Sequence, residues 1–187
     1  MPSLNLDLTR GLALSGVIAL ILTIVVFFRR RARGEISKTT VQFILLGYVH
    51  FWVLFMFLMY IFIFSPRYDA LYLILWVLMV LHWMVIGECI LSYIEKHMID
   101  PQYRIGEDSM THPFIDDMFS SPEFQNMYHY VERMMGVILF CVVLFRYATR
   151  TLAPRYNVHV LFLSVLLLIN GLYANTNMLA GVGTFTY

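Results

Sequence analysis

Three residues able to do chemistry stand close together in "LHWMVIGECILSYIEK", residues 81–96: His82, Glu88 and Cys89. An imidazole can ligate haem or a metal, a carboxylate can carry a proton, and a thiolate can attack a carbonyl. Spacing limits what they do together. Cys89 follows His82 by seven residues, so on one continuous helix both share a face but stand about 10 Å apart. That is too far for one metal ion or for a Cys–His nucleophilic pair within the helix. Cys89 then reads as a small apolar filler, or as an acylation site near the inner leaflet.

A second histidine lies on the preceding apolar run. His50 is 17 residues before Arg67 and His82 is 15 after it. If the chain turns at Arg67, the two histidines reach the same level. Apposed imidazoles there are either haem or metal ligands or a hydrogen-bonded pair that fixes helix packing. Gly47 and Gly87, each 20 residues from Arg67, are level too, and paired glycines allow close helix contact. Glu88 is a hydrated carboxylate near the membrane surface, the partner of a cation on another span, or a proton carrier. Arg146, near the end of another apolar run, reads as a side chain snorkelling to headgroups, with an anion contact as the alternative.

The polar stretch 96–133 adds His97, Asp100, Glu107, Asp108, His112, Asp116, Asp117, His129 and Glu132. Their spacing matches no zinc pattern. They read as a solvated acidic loop that binds a protein partner through Glu107, Asp108, Asp116 and Asp117. No phosphate-binding glycine loop and no Gly-x-Ser-x-Gly elbow occurs. No histidine box of the membrane di-iron kind occurs either.

The elements that carry these residues are apolar. Of 187 residues 60% are hydrophobic and 13% charged, about half the charge of an ordinary soluble domain. The net charge of +1 gives no electrostatic case for nucleic acid. Two cysteines exclude a disulfide-rich module and a cysteine zinc cluster. The charges cluster and leave apolar runs long enough to cross a bilayer. We therefore expect an all-α polytopic membrane helix bundle in a single domain. Its five spans fall at about 11–28, 39–64, 70–94, 134–153 and 157–176, with the third helix continuing to residue 99. "SSPEF" predicts a helix start with Ser121 as cap and Pro122 in the first turn. The helix is amphipathic at first and runs into span four. Arg29, Arg30, Arg31, Arg33 and Lys38 after span one predict an outside N-terminus and a cytoplasmic C-terminus. The uncharged tail "NTNMLAGVGTFTY" either finishes the last helix or folds back as a cap.

The run "CILSYIE", with Cys89, Leu91, Ser92 and Glu95, resembles a Cys-x-Leu-Ser/Thr-x-x-Glu pattern. Small uncharacterised multi-pass membrane proteins of large DNA viruses and bacteria carry it. The bacterial form has proline where this chain has Ile90. The resemblance implies a membrane protein and assigns no catalytic residue. The sequence thus favours a non-enzymatic component of a membrane-bound assembly, such as a viral envelope or an organellar complex, with lipid and protein partners and no cofactor. The alternatives are a haem protein ligated by His50 and His82, and a proton-linked transporter using Glu88.

Overall fold

The computed structural model describes residues 2–34, 40–108, 111–119 and 121–182. Lys38 and the last five residues of the tail lie outside the described residues. The described residues are mainly helical, with turns between α5 and α6, and hold no strand. Its helices are α1 (Pro2–Ala32), α2 (Thr40–Leu58), α3 (Tyr60–Ile63), α4 (Asp69–Ile86), α5 (Ile90–Ile99), α6 (Pro113–Asp116), α7 (Pro122–Thr151) and α8 (Asn157–Val182). Three stretches are long and apolar enough to cross a membrane: Leu8–Ala32, Val41–Leu58 and Pro66–Ile86.

The helices are apolar outside and polar within. Val85, Met84, Val41 and Phe62 are 73–85% exposed. His50, Asp69, Glu88, Ser92, Glu95 and Lys96 are buried. That pattern would be costly in water and suits a hydrocarbon solvent. In α1, Ser15 and Thr23 donate to carbonyls one turn back, at Gly11 (3.0 Å) and Ala19 (2.7 Å), which satisfies their hydroxyls without water. Trp52 of α2 donates to Ser15 Oγ at 3.0 Å and ties the two helices together.

The third helix is shorter than the sequence suggests. It stops at Ile86 because Gly87 takes φ +90° and closes the helix, its N–H donating to Trp83 O at 2.8 Å. That left-handed geometry is open to glycine and strained for residues with a side chain. α5 starts afresh at Ile90 with Cys89 as N-cap. His82 Nε2 accepts the Ile90 N–H at 3.3 Å across the break, satisfying one of the free donors of the new helix. At the start of α7, Ser121 Oγ accepts the Phe124 N–H with Pro122 in the first turn. The predicted amphipathic segment and fourth apolar run form one helix of 30 residues.

Two cores hold the bundle. At the end near the polar loop, Phe114 and Ile115 of α6 are fully buried with Phe43, Phe51, Ala19 and Val26. Phe114 packs 5.4 Å from both Phe43 and Phe51, centroid to centroid. At the other end Tyr60, Phe64, Tyr72 and Val143 form the second core. Gly47 and Gly87 do not meet as the sequence count suggests, since α2 packs chiefly on α1 and α4 on α7. A Cβ on Gly47 would fall 2.2–2.4 Å from the Phe114 ring, whereas the nearest neighbour of Gly87 is the Gly106 Cα at 3.6 Å.

Arg146 is anchored inside the bundle. It forms two hydrogen bonds with Asp69, one at 2.9 Å, and Tyr60 OH donates to the same carboxylate at 3.1 Å. Asp69 is 1% exposed, so removing its cation would strand a buried charge at a cost of about 3–5 kcal/mol. Arg146→Leu should therefore lower the unfolding temperature in detergent sharply. Asp69→Asn on that background should restore part of the loss. Equal stability of Arg146→Leu and the parent protein would refute this account.

Candidate functional site

A buried polar centre forms where α2, α5, α6 and α7 converge. It uses three residues of the run 81–96, Cys89, Ser92 and Glu95, and several of the polar loop. Cys89, Ser92 and Glu95 recur every three residues from the N-cap of α5, which puts them on adjoining positions of one helix face. Each meets a histidine. Glu95 Oε1 bonds His50 Nδ1 at 2.9 Å, Cys89 Sγ lies 3.9 Å from His50 Nε2, and Ser92 Oγ bonds His112 Nδ1. Glu95 is fully buried, and its other oxygen accepts the Phe114 N–H at 3.3 Å. The His50 and His112 rings are 5.5 Å apart edge to face, and His112 and His129 are 5.0 Å apart.

Asp116 organises the far side. One carboxylate oxygen accepts the His112 N–H at 2.8 Å and the other bonds His129 Nε2 at 2.6 Å. Glu132, one turn on from His129 along α7, lies 3.6 Å from His129 Nδ1. Burial, with the nearby positive charges of His50 and His129, holds the His112 imidazole well below its usual range. Burial also works against charge on His129. The bond to Asp116 and the Glu132 carboxylate outweigh it and push the imidazole up to about 9. The two adjoining histidines are therefore driven to opposite protonation states.

Cys89 carries a thiol with nucleophilic character. Burial raises its thiol, but the hydrogen bond and charge of His50, together with the N–H groups of Ser92 and Leu91, bring it below its ordinary value. A cysteine at a helix N-terminus beside an imidazolium is the usual setting of a reactive thiolate. Cys141, by contrast, is buried in α7 and donates to Ser164 O at 3.2 Å.

The remaining sequence candidates lie elsewhere. His82 caps α5 and is engaged separately from His50. Glu88 holds the loop that follows α5. It accepts from Lys96 Nζ at 3.0 Å, from Tyr103 OH at 3.1 Å and from the Gly106 N–H at 2.7 Å. Its cation thus comes from eight residues further along the same chain segment. Burial disfavours charge on Lys96, yet its bonds to Glu88 and Tyr103 hold it above the ordinary lysine range. The acidic loop residues are largely engaged within the chain. Asp117 pairs with Arg30 and Arg33, and Asp116 with His129. Asp108 bonds Thr111 at 2.6 Å, and Glu107 accepts the Arg104 N–H at 3.2 Å.

Gly47 connects the core to this centre, because Phe114 supplies both the ring that fills the glycine notch and the N–H on Glu95. Overpacking of this kind costs about 1–3 kcal/mol. Gly47→Ala should destabilise the protein by that amount in thermal unfolding and loosen the Glu95 contact. A fully stable Gly47→Ala variant would show that Phe114 is not held against α2.

No protein-family model, no curated protein and no solved structure matches this chain.

Proposed function

We propose that this chain is an integral membrane protein that uses Cys89 as the nucleophile of an acyl transfer, taking an acyl ester or thioester at one membrane face. The observation that carries this reading is the line Cys89–His50–Glu95, with contacts of 3.9 Å and 2.9 Å. Nucleophile, base and orienting carboxylate follow in the order that acyl-transfer enzymes use on unrelated folds. Cys89 is partly buried, whereas Glu95 is closed to solvent.

In this reading the Cys89 thiolate attacks the carbonyl carbon. The bond from that carbon to the leaving oxygen or sulfur breaks, and His50 Nε2 gives the leaving group its proton. An S-acyl Cys89 remains. His50 then takes a proton from water, an alcohol or an amine. Attack by that acceptor breaks the thioester and regenerates the thiolate. Glu95 keeps His50 in the orientation that presents Nε2 to sulfur.

The test uses the purified protein in detergent with a p-nitrophenyl acyl ester. One equivalent of p-nitrophenolate should appear in a burst, with the acyl mass on Cys89. Cys89→Ala should abolish the adduct. His50→Gln should slow the burst by about a hundredfold or more, the usual contribution of a general base. Absence of an acyl adduct in the parent protein, or a burst unchanged in Cys89→Ala, would refute the reading. Iodoacetamide gives a second measurement. The lowered thiol range of Cys89 should keep alkylation fast below about pH 8.5, the value of an ordinary thiol. His50→Gln should move the profile upward, and an ordinary profile in the parent protein would count against thiolate activation.

We read the chain as crossing the bilayer five times. The three membrane-length helices are joined by the apolar part of α7 and by α8. The arginines that end α1 support an outside N-terminus. An odd number of crossings puts the termini on opposite sides. Tags at the two ends should be digested from opposite faces of sealed vesicles, and digestion from the same face would exclude five spans.

A further inference from the structure

The geometry points to a second site beside the thiol: a divalent transition-metal site of the zinc class, formed by His112, His129 and Glu132. One ligand atom from each of these residues lies within 4.8 Å of the other two. Two imidazole nitrogens and a carboxylate favour zinc or a neighbouring first-row metal over magnesium or calcium, which prefer oxygen ligands. Two histidines and a glutamate also make up a known catalytic zinc set, with the fourth position left for water or substrate.

The second observation is a buried nitrogen that faces a carboxylate without a hydrogen bond. His129 is buried, its side chain 9% exposed, yet its Nδ1 has no hydrogen-bond partner. The nearest carboxylate oxygen, on Glu132, is 3.6 Å away, beyond hydrogen-bond reach. That separation suits two ligands of one ion. Bonds of about 2.0–2.1 Å at tetrahedral angles set ligand atoms roughly 3.3 Å apart.

The outer partners agree. Asp116 takes the Nε2 side of His129 and leaves Nδ1 on the Glu132 side. Ser92 takes the Nδ1 side of His112 and leaves Nε2. Metal-bound histidines are ordinarily held in this way through the other ring nitrogen, which fixes tautomer and orientation. The supporting elements are also rigid. His129 and Glu132 stand one turn apart on α7, and His112 is fixed at the start of α6 by its N–H bond to Asp116.

This site uses none of the acyl-transfer residues, so the two readings fail separately. The experiment is metal analysis of the full chain purified in detergent without chelator. Chelator stripping and titration with Zn2+ alone follow, and Co2+ serves as a spectroscopic probe. About one metal per chain is expected, with visible Co2+ bands of a tetrahedral site. Glu132→Gln and His129→Gln should lower Zn2+ affinity by at least a hundredfold. Asp116→Asn should weaken it by about 10–100-fold, as outer-partner changes do. Cys89→Ala should bind as the parent does. Glu132 is partly exposed, 16% for its side chain, so its variant keeps the test open if the histidine variant fails to fold. No stoichiometric uptake by the stripped parent protein would overturn the inference. So would affinity unchanged in Glu132→Gln.

Discussion

A carboxylate with no access to water must be answered from within the protein, and Glu95 is the clearest instance here. It is fully buried, and its two oxygens take His50 of α2 and the backbone N–H of Phe114 at the head of α6. Three elements distant in sequence are thereby held at one point. Leaving any of these bonds unmade would strand charge in a medium of low dielectric. The Phe114 ring then has one place to go, the notch over Gly47 between Phe43 and Phe51. The polar centre and the apolar core are two faces of one constraint, which keeps α5 and the loop from sliding along α2.

The break at Gly87 makes this possible. A continuous helix would carry Cys89, Ser92 and Glu95 onward in the direction of α4. Ending α4 in the left-handed region gives α5 its own axis and its own N-terminus. Cys89 becomes a cap residue beside the first N–H groups of α5, and His82 takes the Ile90 N–H to close the joint. The chain also anchors its loop here, with Glu88 gathering Lys96, Tyr103 and the Gly106 N–H. One run of sixteen residues thus serves three purposes, in joint, anchor and thiol.

Apolar runs, clustered charge and the Ser121–Pro122 helix start were legible in the sequence, because each is a local signal. Pairings across the fold were less so. Counting from Arg67 brings His50 level with His82, but a shared level does not fix a shared face: α4 packs on α7, and His82 takes the Ile90 N–H. Gly87 was weighed as a packing residue, although it also marked a stop. The spacing of Cys89, Ser92 and Glu95 did signal one shared helix face. No periodicity could tell that His50 and His112 would face it, because their partners lie 20–45 residues away. His129 and Glu132, at i and i+3, were legible as neighbours on one helix face, whereas His112 joins them only through the fold. The aspartates looked solvated because composition does not reveal that a loop folds back onto its own histidines.

The length of α7 has its own consequence. This single helix holds His129 and Glu132 near its beginning and Arg146, clasped by Asp69, towards its end. Those points are 17 residues apart, about 25 Å along the axis. A helix that long and that well packed behaves as a strut, so its two ends cannot be positioned independently. The position of the centre at one end of α7 therefore sets the register of the clasp at the other. The bundle is gripped at both rims by one rigid member, and a change at either rim is felt across the full thickness of the protein.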